Sequence, residues 1–144
     1  QKVGQSAAPL FLDRIDIQCE ITPVPFKDIS KAAQGEPSAE IRKRVIRARE
    51  IQAERFSGQK GIHCNAQMSE RMIHQYAEPD EAGISMLRMA MERLSLSARA
   101  YNRILKVART IADLEGCEHV ESHHLAEAIG YRTLDRGDWA ERGI

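Results

Sequence analysis

The chain has 144 residues, 42% of them hydrophobic, with 21 basic side chains against 21 acidic ones. That is enough apolar material for one domain with a real core, and too little length for two. The balanced charge excludes a bulk attraction to nucleic acid or membrane, so any such surface has to come from charge gathered on one face. No apolar run approaches the length that spans a bilayer, and the N-terminus lacks the basic-then-apolar order of a signal peptide. Cys19, Cys64 and Cys117 are odd in number and widely spaced. This fits reduced thiols in a cytoplasmic protein better than a disulfide framework. The chain opens on Gln1 within a polar stretch, as expected of a piece of a longer protein.

In chain order, Ile15 to Ile21 alternates strictly, with Ile15, Ile17, Cys19 and Ile21 on one side. The pattern predicts a half-buried strand with no partner strand in this chain. Pro23 and Pro25 end it, and the residues up to Pro37 read as linker. Ser38 is the expected N-cap of a long helix running to Phe56. Ile41, Val45 and Ala48 form its apolar stripe; Arg42, Lys43, Arg44, Arg47, Arg49 and Arg55 form a basic face, read first as solvated and second as a surface for DNA or another subunit. A polar loop follows, then a short helix capped by Ser69 and another from about Glu81 to Leu94, with Ile84, Leu87, Met91 and Leu94 inward. The next helix, capped by Ser97 and stopped by Gly116, carries the widest apolar face and is expected to be the most buried. Arg99, Arg103, Lys106, Arg109 and Asp113 are placed on its polar side. Ser122 is the expected cap of a last helix to about Tyr131, and Trp139 is the only large anchor in a polar tail.

The chemistry is sparse. His123 and His124 are adjacent, so on a helix they point about 100° apart. With Cys117 and His119 they make a poor ligand set, and no metal site is expected. His63 and Cys64 are neighbours in a loop and are read as structural, not as base and nucleophile. No G-x-x-x-x-G-K-[ST] phosphate loop is present, so the chain alone is not expected to hydrolyse a nucleotide. Two arginines stand out. Arg99 lies in the first turn of its helix, where the partial positive charge disfavours a cation by a few tenths of a kcal/mol up to about 1. A phosphate there would reverse the balance; otherwise Arg99 is a surface residue reaching to water or Glu92. Arg14, between Asp13 and Asp16, reads as ion-paired, or as a group that stabilises charge on a transferred phosphoryl group.

The segments "APLFLDRIDIQCEITPVPF", "AEIRKRVIRAREIQAERF", "LSARAYNRILKVARTIADLEG" and "HLAEAIGYRTLDR" resemble the C-terminal part of the magnesium-chelatase-like AAA+ ATPases, and among them the competence-associated ComM/YifB group of bacterial proteins. The resemblance covers nearly the whole chain and is strongest from Leu96 to Leu114. It implies an all-α fold: a small bundle of four to five helices, of the AAA+ lid type, preceded by an extended segment from the end of the ATPase core. Residues 1–37 are then the end of that core and a linker, expected to be mobile here, residues 38–134 the lid, and residues 135–144 a flexible tail. Arg99 is implied to be the sensor-2 arginine that reaches the nucleotide phosphate in cis. Arg14 is implied to be the catalytic arginine finger presented in trans. ATP is the implied ligand, its Mg2+ held by the core, with neither held by this chain alone. The implied partners are the upstream core and identical subunits in a ring, expected as a hexamer, with DNA as a further partner and no membrane. The parent would act in DNA processing or as a chelatase-like motor, and this chain alone is expected to be a monomer. The alternative reading is a helical DNA- or protein-binding module built around Gly116, without a nucleotide role.

Overall fold

The helix from Ala98 to Glu115 fixes the architecture, because Ala100, Ile104, Leu105, Val107, Ala108 and Ala112 turn one continuous apolar face into the core. The computed structural model describes residues 14–19, 21–29 and 35–132. The expected tail, Trp139 and residues 1–13 with their expected mobility lie outside that range. Among the described residues there are six helices: α1 (Phe26–Ile29), α2 (Ser38–Arg55), α3 (Glu70–Tyr76), α4 (Glu81–Arg93), α5 (Ala98–Glu115) and α6 (Ser122–Gly130), with a 3-10 turn at Asn65–Gln67. The fold is an all-α bundle. α1 is a single turn after Pro25, in what reads from sequence as linker, and it buries nothing. Helix α5 packs against α2, α3, α6 and the 3-10 turn, while α4 lies on α6. Among the described residues no helix is long and apolar enough to cross a membrane.

Several predicted ends hold. Ser69 Oγ accepts the Met72 N–H and Ser97 Oγ accepts the Ala100 N–H, each closing one orphan donor of its helix. Gly116 closes α5 in the left-handed conformation at φ 80°, with the Cys117 N–H bonded to the Ala112 carbonyl. Two caps differ. Ser38 is the first helical residue after Pro37 and makes no side-chain cap, because the helix begins one residue early. Ser122 is likewise inside α6; Glu121 is its cap, and the His124 side chain returns the bond to the Glu121 backbone.

The predicted strand does not form among the described residues of its stretch. Its parity is also inverted: Gln18 is buried, whereas Ile17 is 51% and Ile21 91% exposed. With no neighbouring strand among the described residues, the backbone is held by the end of α6 instead. The Gln18 N–H donates to the Tyr131 carbonyl at 2.9 Å, and that bond turns Gln18 inward.

A second difference lies in the core. Arg55, Arg109 and Asp113, expected on solvated faces, meet inside the bundle. Arg55 holds Asp113 through two hydrogen bonds of 2.8 and 2.6 Å, and Arg109 Nε donates to the same carboxylate at 3.1 Å. Asn65 donates through its side chain to Asp113 and Thr110 and through its backbone N–H to Gln52 Oε1, and accepts from Arg55. Arg109 also donates to the carbonyls of Cys117 and Glu118, which fastens the chain after α5. Burial pulls the Arg109 guanidinium below its usual value; Asp113 opposes that and Arg55 adds to it. Arg55 also lies 5.9 Å from the Phe56 ring and 6.0 Å from the Tyr76 ring, within cation–π range, and those two rings meet edge to face.

Where α4 meets α6, a Cβ at Gly83 would lie 2.7 Å from Leu125 Cδ1 and 2.7 Å from Pro79 Cβ. Leu125 could rotate away, but the proline ring has nowhere to go. Gly83→Ala is therefore expected to destabilise the chain by about 1–3 kcal/mol. Asp113→Ala leaves two guanidinium groups without their buried counter-charge, and about 3–5 kcal/mol is expected to be lost. Urea unfolding of the two variants beside the wild type measures both.

Candidate functional site

The two ends of α5 carry charges of the sign the helix dipole disfavours, and the structure treats them differently. At the N-terminal end, α4 stops in a tight turn. The Leu96 N–H bonds to the Met91 carbonyl and the Ser95 N–H to that of Glu92, with Ser95 at φ 47°. That conformation costs a non-glycine residue about 1 kcal/mol, so the turn holds an unfavourable backbone just ahead of α5. Arg99 follows in the first turn, exposed, with no acidic residue beside it in that turn. It makes no hydrogen bond or ion pair among the described residues, so the reach toward Glu92 is not what the structure shows.

At the C-terminal end, the disfavoured anion Glu115 has partners. His123 Nε2 lies 2.9 Å and His124 Nε2 2.6 Å from the same carboxylate oxygen, with the two rings 3.9 Å apart. The expected divergence of the adjacent histidines therefore fails. Both rings swing toward Glu115, which stands opposite the first turn of α6. These three ligand-type groups lie within 4.8 Å of one another, yet they are not three free ligands. His124 is fully buried and its Nδ1 accepts the Glu121 backbone N–H at 2.9 Å. The neutral ring then carries its proton on Nε2, which donates to Glu115 and has no lone pair to offer a metal. The cluster joins α5 to the capped start of α6. The hydrogen bonds from His123 and His124 hold the Glu115 carboxyl below its usual range.

Arg14 stands exposed at the first described residue, and it too makes no hydrogen bond or ion pair among the described residues. Of the two acids that flank it, Asp13 lies outside the described residues and Asp16 accepts from Arg103 Nη1 at 2.5 Å. Arg132, fully buried, donates through Nη1 to the Ile15 carbonyl at 2.7 Å. Lys106 is bound to the Ala66 carbonyl. The roles of Arg103 and Arg132 are not evident from local sequence, since Asp16 lies 87 positions before Arg103 and Ile15 lies 117 before Arg132.

The remaining candidates are inert or peripheral. The His63 N–H and Cys64 Sγ both turn to the Gln67 side chain. Burial pushes the Cys117 thiol up, with Glu115 and Glu121 adding to the effect, which is the opposite of an activated nucleophile. The first half of α2 is exposed throughout. Ile41, Val45 and Ile46 are open there, Lys43 is paired with Glu40, and Arg44 with Glu36. Beside it runs a groove of about 560 Å³ that includes Ile17, Ile111, Leu114 and Tyr131.

Because the carboxyl of Glu115 is depressed in the fold, its contribution is fully present above the ordinary carboxylate pKa, about 4, and is lost as pH falls through the lower folded value. Glu115→Gln is expected to lower the thermal midpoint at neutral pH. It is also expected to flatten the loss of stability on acidification relative to wild type. Thermal melts across that pH range check both.

Residues 35–132 match the family described as magnesium chelatase, subunit ChlI C-terminal. The competence protein ComM of Haemophilus influenzae is 41% identical over 127 residues, which cover 88% of this chain and 24% of that protein. The protein YifB of Salmonella typhimurium is 42% identical over 127 residues, with the same coverage. A Mycobacterium bovis protein is 34% identical over 130 residues, 90% of this chain and 25% of its own. The chain spans about a quarter of the length of these relatives. The matched region begins just before α2 and ends just after α6, so it takes in the whole α5-centred bundle, and the chain belongs to the magnesium chelatase ChlI C-terminal family.

Proposed function

We propose that this bundle is the nucleotide-facing lid of a ring-forming AAA+ ATPase, with Arg99 contacting the bound nucleotide's phosphate in cis and Arg14 acting in trans on the neighbouring subunit's ATP. The observation that carries the reading is the asymmetry of α5. Its wrong-signed C-terminal charge, Glu115, is offset by His123 and His124, whereas Arg99 at the other end has no counter-charge among the described residues. A phosphate is the partner that fits. It would take the guanidinium together with first-turn N–H groups that the helix cannot satisfy internally. ATP supplies the transferable phosphoryl group, with Mg2+ and the phosphate loop contributed by the rest of the protein. This chain's share is charge stabilisation from two directions. The process served by the whole protein is read as DNA processing or chelatase-like motor action, and the exposed Arg42, Arg47 and Arg49 of α2 offer a surface for DNA.

The helix-turn-helix alternative has less support. The link from Glu115 to Ser122 leaves six residues between α5 and α6, longer than the usual 3–4-residue turn, and the exposed residues of α6 include His123, Ala126 and Glu127 but no Lys or Arg.

In the full-length protein, Arg14→Ala is expected to lower ATP turnover by about 10³-fold or more while nucleotide still binds. Arg99→Ala is expected to raise KM for ATP about tenfold, the value of one charge-assisted contact. Mixing Arg14→Ala subunits with subunits dead in their own ATP site restores part of the activity if the finger acts in trans. Normal turnover by both variants in assembled rings would overturn the reading.

A further inference from the structure

We infer that Asp16 and Arg103 form a positioning link that ties the presentation of Arg14 to the helix that carries Arg99. The inference rests on the function proposed above and adds a residue pair that couples its two halves. Residues 15–18 belong to no helix or sheet, and the apolar side chain at Ile17 is 51% exposed. Ile15 is half-buried and Gln18 is buried, so apolar burial contributes little beyond Ile15. What does hold it is a short set of polar contacts: Asp16 to Arg103, the Ile15 carbonyl to Arg132, and the Gln18 N–H to the Tyr131 carbonyl. All three lie within four residues of Arg14, so they set where its backbone emerges.

The two parts of the clamp differ in kind. Arg132 is fully buried and reads a backbone carbonyl, which makes it an anchor insensitive to side-chain identity at position 15. The Asp16–Arg103 pair is side chain to side chain and partly solvated, with 50% and 31% of the two side chains exposed. Pairs of that exposure contribute about 0–1 kcal/mol, too little to explain the fold and enough to choose an orientation. Arg103 also stands four residues after Arg99 on α5, so the two side chains share one face of a rigid helix. Any tilt or shift of α5 that accompanies a phosphate at Arg99 is carried to Asp16, two residues from Arg14. One subunit's nucleotide state thereby bears on the group it offers its neighbour.

The test uses Asp16→Arg and Arg103→Asp, singly and combined as a charge swap, in the full-length protein, with Arg14→Ala and Arg99→Ala as references. Each single variant is expected to lower kcat about tenfold, because a misplaced catalytic group loses that much or more, while KM for ATP changes less than about twofold, and the swap is expected to recover most of the loss. Exchange protection of the Gln18 amide provides a readout apart from turnover. It is expected to fall in each single variant, to return in the swap, and to do so without a large change in Tm. The inference is overturned if the singles turn over ATP like wild type while Arg14→Ala is inactive, or if the swap fails to rescue. Normal turnover by Arg14→Ala and Arg99→Ala would overturn the underlying reading, and the inference with it.

Discussion

The bundle depends on a buried carboxylate, Asp113, shared by two arginines. Arg55 comes from the end of α2, Arg109 from the turn of α5 that precedes Asp113, and Asn65 from the 3-10 turn between them. Two guanidinium groups on one carboxylate leave a net positive charge inside the domain, and desolvation alone would make that prohibitive. The hydrogen-bond count makes it tolerable. Arg109 is bonded on Nε and both terminal nitrogens, its last partners being the carbonyls that follow α5. One carboxylate thus sets the register of α2 on α5, the path of the loop from Phe56 to Met68, and the exit of the chain toward α6. The apolar core of Phe56, Ile73, Ile104, Leu105 and Leu125 supplies the bulk of the burial and leaves the register free; the polar network removes that freedom.

This network marks where the sequence is legible and where it is not. Helix existence, the Ser69 and Ser97 caps and the Gly116 stop all depend on residues within a turn or two of each other, and each appears as expected. The fate of Arg55, Arg109 and Asp113 depends on partners up to 58 positions apart. A local reading assigns any charged residue on a helix flank to solvent. The one available hint was the i,i+4 spacing of Arg109 and Asp113 on the flank of the widest apolar face, a pairing that fits either side of a surface. Ile15 to Ile21 misleads for a related reason. Alternation reports a strand only where a sheet is present to receive it, and here the end of α6 receives the backbone and turns Gln18, not the isoleucines, inward.

The candidate site divides in the same way. That Arg99 sits in the first turn of α5 follows from Ser97 and the glycine stop, so its conflict with the dipole is readable from sequence alone. That the conflict goes unanswered becomes evident only in three dimensions, where the opposite conflict at Glu115 is answered by two histidines. On a helical wheel those two histidines diverge. In the structure, His124 is drawn back to the Glu121 backbone by the capping bond, and this same bond fixes the proton on the nitrogen facing Glu115.

The contrast between these clusters bears on how such a domain could respond to a ligand. Groups buried around Asp113 are held by several charge-assisted bonds each, so their rearrangement would expose an unpaired charge and unfold the bundle before it switched it. Arg14 and Arg99 themselves are exposed, and the Asp16–Arg103 pair between them is partly solvated and worth about 0–1 kcal/mol, a scale at which a single new partner changes which arrangement dominates. Helix α5 spans both regimes over 18 residues, about 27 Å. Its second half is locked by Arg109 and Asp113, while in its first half Ala100, Ile104 and Leu105 are buried and Arg99 and Arg103 stand on the outer flank, Arg103 in a partly solvated pair. Ala100, Ile104 and Leu105 hold the first half of the helix in the core, so a new partner at Arg99 acts first on the outer side chains of that flank, Arg99 and Arg103, and through Arg103 on Asp16.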